Sequence, residues 1–179
     1  SQGEIDTAYR IQCLWQYHTC LDTELLRNSW EYACQKYSSL RLRFDWEEEL
    51  VQIIDKHIDL NWKYIDLSND DAQEQARKIE TLQQKDLTQI YNLKEGRLFR
   101  IYIIKQKTNL YTCLFSNHHA ILDGWSNSVL QHYVHETYMR LMSGEQVSVT
   151  PDSSYVDAQK YLQDHQDKDQ EYWDEYVAQ

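Results

Sequence analysis

The run Ser116-Asn117-His118-His119-Ala120-Ile121-Leu122-Asp123-Gly124-Trp125-Ser126 sets two adjacent histidines a short way ahead of an acid and a glycine. It follows an apolar, β-favouring run, Leu110 to Phe115, and precedes a helix-like run from about Asn127 to Met142. The stretch therefore reads as a loop joining strand to helix, and loops carried by rigid elements are where reactive side chains collect. Histidine, with an ordinary pKa of about 6.5, exchanges a proton near neutral pH without drastic help from its surroundings. Neighbours on an extended backbone point to opposite sides, so His118 and His119 have different jobs: one faces an open cavity and the other packs against the protein. Asp123, past the bend, needs a basic partner if it is buried. Gly124 allows a positive φ or a close approach by substrate.

Working outward, Leu98 to Gln106 and Leu110 to Phe115 bracket Lys107-Thr108-Asn109, which predicts a hairpin whose second strand delivers the histidines. After the motif, Leu130, Val134, Thr137 and Leu141 share one helical face, and Gly144 suits the residue just past that helix. Near the start, Tyr9, Ile11, Cys13, Trp15 and Tyr17 alternate with Arg10, Gln12, Leu14, Gln16 and His18, the period of a half-buried strand. Asp22 is placed to cap a helix with the stripe Leu26, Trp30, Ala33 and Tyr37. Leu40, Leu42 and Phe44 alternate with Arg41 and Arg43 in a second strand, and Leu50 to Ile54 returns as its hairpin partner. The acidic Glu47-Glu48-Glu49 between them is a solvated turn. Residues 58 to 67 are extended, and Ser68 or Asn69 is expected to cap a long polar helix through Ala72, Ala76, Ile79 and Leu82. A final aromatic helix or helix pair is expected from Tyr155 to Gln179. The order predicts an α+β two-layer sandwich, one mixed β-sheet with helices packed on one face.

At 179 residues the chain is one domain with a sizeable core, and its 41% hydrophobic and 26% charged residues mark it as globular. No apolar run is long enough to span a bilayer and no signal-peptide pattern opens the sequence, so a cytoplasmic location and no membrane partner are expected. The net charge of −11 argues against nucleic-acid binding, which usually shows a basic footprint. The four cysteines, Cys13, Cys20, Cys34 and Cys113, have no paired spacing and read as reduced, mostly buried small hydrophobes; no metal site is expected.

His118-His119-x-x-x-Asp123-Gly124 with Trp125-Ser126 resembles the HHxxxDG motif of the condensation domains of nonribosomal peptide synthetases, relatives of chloramphenicol acetyltransferase. Other stretches agree with it in order. Leu40-Arg41-Leu42-Arg43-Phe44 resembles the RHExLRTxF segment of that family. Tyr91-Asn92-Leu93 with Gly96-Arg97-Leu98-Phe99-Arg100 resembles its FDLxxGPLLR segment, and Tyr155 with Tyr172-Trp173 resembles its YxxW and YW helices. The resemblance implies a chloramphenicol acetyltransferase-like lobe over residues 9–179, preceded by a flexible segment, 1–8. It also implies that the family's first helix and its C-terminal lobe are missing from this sequence.

The implied activity is amide formation between an acyl or peptidyl thioester donor and an aminoacyl acceptor. Both are carried on phosphopantetheine arms of peptidyl carrier proteins, so no directly bound cofactor is expected. On this resemblance His119 is the base or positioner of the attacking amine, His118 orients the loop, and Gly124 completes the catalytic motif. Trp125 and Ser126 line a substrate tunnel, and Arg41 pairs with Asp123. Lys36, Tyr37 and Ser38 depart from the Arg, His and Glu usual in the family, and lysine cannot repeat a bidentate arginine contact. Competing readings are an epimerisation domain of the same superfamily, an acyl-CoA-dependent acyltransferase, and a noncatalytic docking module. Smaller patterns carry less. His132 and His135 read as exposed helix residues, Ser128 breaks a G-x-S-x-G elbow, and Ser126 or Asn127 reads as a helix N-cap.

Overall fold

A computed structural model describes residues 10–122 and 124–150, with the side chains of Arg10, Gly124 and Trp125 left aside. The expected flexible segment at 1–8 and the expected aromatic helices after Tyr155 lie outside the described residues. In chain order the elements are β1 (Arg10–Tyr17), α1 (Thr23–Lys36), a 3₁₀ turn (Ser38–Arg41), β2 (Leu42–Trp46) and β3 (Leu50–Ile54). There follow β4 (Trp62–Asp66), α2 (Ala72–Thr88), β5 (Phe99–Lys107), β6 (Leu110–His118) and α3 (Gly124–Met142).

The main sheet has the order β1-β6-β5-β4, while β2 and β3 form a separate two-stranded ribbon. β1 and β5 flank β6 antiparallel and β4 runs parallel to β5, so the sheet is mixed as the sequence predicts. Its register explains the two faces. Cys13, Phe115 and Ile101 stand in one cross-strand row, and Trp15, Cys113 and Ile103 in the next. Trp15, Phe115, Ile101, Cys113 and Ile103 of these rows meet Trp30 and Ala33 of α1 and Leu130, Val134 and Tyr138 of α3 in one apolar core. Trp30 and Phe115 are 5.1 Å apart by ring centroid, and Phe99 lies 6.0 Å from Phe115. Burying such a side chain contributes about 1.5–3 kcal/mol, so this layer is the main source of the lobe's stability.

The one-face arrangement holds for α1 and α3 and is corrected for α2, which packs on the opposite face. A parallel β4–β5 pair needs a crossover, and α2 supplies it. Its Asp86 is reached there by Gln12, Arg100 and Tyr102, whose rows alternate with those of the core.

Local signals decide the ends. Asp22 accepts from Leu25 N–H at 3.1 Å, the expected cap of α1. At α2 the cap is Asp71, accepting from Glu74 N–H at 2.8 Å, and not Ser68 or Asn69, because Ser68 instead donates its hydroxyl to Asp66 at 2.5 Å. The strand expected from Leu40 begins at Leu42, since Leu40 N–H turns back to Tyr37 carbonyl at 3.0 Å in the 3₁₀ turn. Gly144, at φ +81°, closes α3: its N–H reaches Leu141 carbonyl at 3.1 Å and Glu145 N–H reaches Arg140 carbonyl at 3.0 Å. That is the double bond of a Schellman ending, as the glycine's position predicts. No helix among the described residues is long and apolar enough to cross a membrane.

Candidate active site

β6 runs to His118, three residues further than the apolar run alone suggests, because the β1 and β5 registers both continue past Phe115. His118 N–H donates to Leu98 carbonyl at 2.9 Å, so the first histidine belongs to the sheet. Its side chain is 0% exposed. Ala120 N–H donates to His118 Nδ1 at 3.0 Å, which leaves the proton of the neutral imidazole on Nε2.

His118 carbonyl accepts from Asn117 Nδ2 at 2.9 Å and from Ile121 N–H at 3.2 Å. The chain therefore turns as soon as the strand ends, and His119 sits on that turn, half-buried. Ile121 and Leu122 then plunge into the core and fix the far side of the turn. The two histidines differ in burial: His118 is fully buried and His119 is half-buried.

α3 begins at Gly124, so Ser126 and Asn127 lie in its first turn and not at the cap the sequence suggests. Ser126 is half-buried, Asn127 is buried, and Asp123 lies outside the described residues.

Arg41 sits at the end of the 3₁₀ turn and donates Nε to Cys34 carbonyl at 2.8 Å and Nη1 to Asp55 carbonyl at 2.5 Å. It ties the C-terminus of α1 to the end of β3 by these contacts. Lys36, in the altered segment, has its ammonium 5.7 Å and 5.4 Å from the ring centres of Tyr37 and Tyr133. Those two rings meet edge to face at 5.5 Å, so Lys36 and Tyr37 help join α1 to α3. His132 and His135 are exposed on α3, as expected.

Beneath His118 lies a polar cluster to which the sequence gives only partial clues. Asp86, from α2, accepts from Arg100 Nε at 2.6 Å, from Tyr102 hydroxyl at 2.9 Å and from Gln12 Nε2 at 2.8 Å. Burial alone would raise its pKa, but the hydrogen bonds from Arg100, Ser116 and Gln12 and the Arg100 charge hold the carboxyl below its ordinary value. Arg100 also donates Nη2 to the carbonyls of Asp86 and Gln89, both at 3.1 Å. Its guanidinium carbon lies 4.0 Å from the Tyr91 ring centre, and Tyr91 hydroxyl is 2.9 Å from Ser116 Oγ. Tyr91 and Arg100 stand in the segment already singled out by resemblance; Asp86, in a polar helix, gives no sequence signal.

The family model of condensation domains matches residues 3–179. The chain belongs to the condensation domain family. It is 44% identical over 97% of its length to N-(5-amino-5-carboxypentanoyl)-L-cysteinyl-D-valine synthase of Amycolatopsis lactamdurans. To the synthase of the same name from Penicillium rubens it is 41% identical over 95%. The chain spans 5% of the length of each of these relatives. Bacitracin synthase 3 of Bacillus licheniformis is 27% identical over 95% of the chain, which covers 3% of that protein.

Among solved structures, the starter condensation domain of rhizomide synthetase superposes at a TM-score of 0.75 with 20% identity, covering 97% of this chain and 45% of that one. The first condensation domain of the calcium-dependent antibiotic synthetase, in complex with a substrate analogue, gives 0.73 with 17% identity, covering 80% and 35%. At these identities the likeness shows the fold, a chloramphenicol acetyltransferase-like sheet with packed helices. This condensation-family chain fits the N-terminal lobe of such a domain.

Proposed function

We propose that this lobe carries the proton-handling half of an amide-forming site, in which a carrier-bound amine attacks a carrier-bound acyl or peptidyl thioester. The observation that carries the reading is the split of the histidine pair. His118 is locked in the sheet end by Leu98 and Ala120, and His119 is held on the turn beside it. A thioester is already activated, so the burden is to hold two tethered substrates together and to manage one proton. The amine nitrogen forms the new bond to the thioester carbonyl carbon, the C–S bond breaks, and sulfur leaves as thiolate. The amine's proton passes to His119 and on to that thiolate. Positioning supplies several kcal/mol of such a barrier, and proton transfer adds about 10²–10⁴-fold. His118 orients the turn, Gly124 completes the motif, Arg41 braces Asp123, and Trp125 and Ser126 line the substrate passage.

The phosphopantetheine arms belong to the substrates and not to this chain. Donor and acceptor carrier proteins and a C-terminal lobe of the same domain are the partners, in a cytoplasmic setting. The separate lobe has little or no turnover because the passage lies between lobes. The names of the relatives, whose product joins an acyl group, cysteine and D-valine through amides, support an amide-forming role within a peptide synthetase.

The D-residue in that name favours one second reading, proton exchange at Cα by an epimerisation domain. The test is mass spectrometry of products from the complete domain with acyl-loaded donor and aminoacyl-loaded acceptor carriers, beside His119→Ala. Joined product on the acceptor, lost in the variant, supports condensation. Cα deuterium exchange without joined product moves the reading to epimerisation.

A further inference from the structure

Tyr91 touches both the buried ion pair and the first histidine. One face of its ring carries the Arg100 guanidinium at 4.0 Å, and the ring meets the His118 imidazole edge to face, with centroids 6.3 Å apart and planes at 80°. Its hydroxyl is 2.9 Å from Ser116 Oγ, and both groups are buried. Either hydroxyl can be the donor in that bond. The tyrosine ring is thereby fixed from two directions, by the hydroxyl bond to Ser116 and by a cation stacked on its face.

We propose that Tyr91 is a positioning residue, transmitting the rigidity of the Arg100–Asp86 pair to His118 and through it to the turn that carries His119. This deepens the amide-forming reading and rests on it for its kinetic consequence. The resemblance places phenylalanine at this position, so the hydroxyl arm is a feature of this chain's own sequence. His118 has one nitrogen committed to Ala120 N–H, and a ring leaning on its edge fixes the rotation of the imidazole about that bond. If the ring is free to shift, the turn loses its reference point and His119 strays from the attacking amine. A displacement of order 1 Å at such a distance costs up to about 10²-fold in rate.

The test uses the complete domain with loaded carriers, comparing Tyr91→Phe and Tyr91→Leu with the unaltered protein. Loss of the hydroxyl alone is expected to lower kcat about 3–10-fold, and loss of the ring about 30–100-fold, with KM for both carriers unchanged. Histidine-labelled protein gives a second readout by NMR. The His118 imidazole is expected to hold its proton on Nε2 in the unaltered domain, with a shifted ring proton that moves in Tyr91→Phe and moves further in Tyr91→Leu.

Wild-type kcat and unchanged His118 signals in Tyr91→Phe overturn the proposal, and that variant decides alone if Tyr91→Leu does not fold. A rise in KM with kcat intact also overturns it, since that is a binding role. Should the unaltered domain make no joined product, the amide-forming reading fails, while the His118 signals still decide whether Tyr91 positions the imidazole.

Discussion

Arg100 Nε donates to Asp86 Oδ1 across 2.6 Å with the two side chains 6% and 0% exposed, so a full ion pair is held inside the lobe between β5 and the end of α2. Truncating one partner strands the other charge in the interior, and Arg100→Ala or Asp86→Ala is expected to cost about 3–5 kcal/mol in urea unfolding of the domain. The same change in the exposed Arg77–Glu74 pair of α2 is expected to leave the unfolding midpoint where it was. Because the Asp86 carboxyl is held below its ordinary value when folded, its contribution is complete above the unfolded carboxylate pKa of about 3.9 and is lost as pH falls through the lowered folded value. An Asp86→Asn protein should show a flatter loss of stability below that pH than the unaltered one, and equal slopes would refute the linkage.

Gly96 and Gly144 make a matched pair for separating backbone strain from crowding. Both have positive φ, +82° and +81°. A Cβ on Gly96 would sit 3.0 Å from Arg43 Cβ, close to the backbone of β2, whereas one on Gly144 meets nothing within 4 Å. Gly144→Ala should lose only the left-handed penalty of roughly 1–2 kcal/mol. Gly96→Ala must also push β2 away from the segment that places Tyr91, and a larger fall in melting temperature is the expected result. Equal falls would mean that the ribbon gives way freely.

Much of this arrangement can be read in the residues themselves. The β5–β6 hairpin, the caps at Asp22 and Gly144 and the α1 and α3 stripes follow from short-range chemistry that does not depend on distant partners. What escapes is what hydrophobic pattern cannot mark. α2 reads as a polar helix because two of its anchors are Gln75 and Asp86, buried polar groups satisfied by hydrogen bonds and invisible to a search for apolar stripes. Gln75 Nε2 donates to the carbonyls of Leu67, Asp70 and Gln106, so the helix is stitched to the opposite face of the sheet by amide contacts. The 3₁₀ turn hides inside an alternating pattern for a similar reason. Leu40 and Leu42 are both buried whether or not the backbone between them is extended. At the site, the histidine pair is legible from order and spacing, but its footing on Tyr91, Ser116 and Asp86 spans three separate stretches of chain.

The cysteines differ enough in surroundings to be sorted by reagent. Burial pushes the Cys34 thiol up to about 12 and Cys113 well above its ordinary value, so neither offers thiolate near neutral pH. Cys20 is exposed and Cys13 is half-buried with its thiol raised by burial, so the expectation of mostly buried cysteines holds only for Cys34 and Cys113. Iodoacetamide at neutral pH should label Cys20 first and Cys13 slowly, leaving Cys34 and Cys113 unmodified until the protein unfolds. Early labelling of Cys113 by peptide mass mapping would mean that the core face opens locally.

The two histidines should separate by what their loss does to folding. His118→Ala removes the acceptor of Ala120 N–H and a fully buried ring from the sheet end, and about 1–3 kcal/mol of stability should go with it. His119→Ala changes a half-buried side chain on the turn, so its unfolding midpoint should stay close to that of the unaltered domain while product formation falls by about 10²-fold or more. Parallel urea curves and carrier-based product assays give both numbers for each variant. If His119→Ala keeps full activity while His118→Ala abolishes it without loss of stability, the assignment of the two roles is reversed, and the buried imidazole would have to reach substrate from the sheet end.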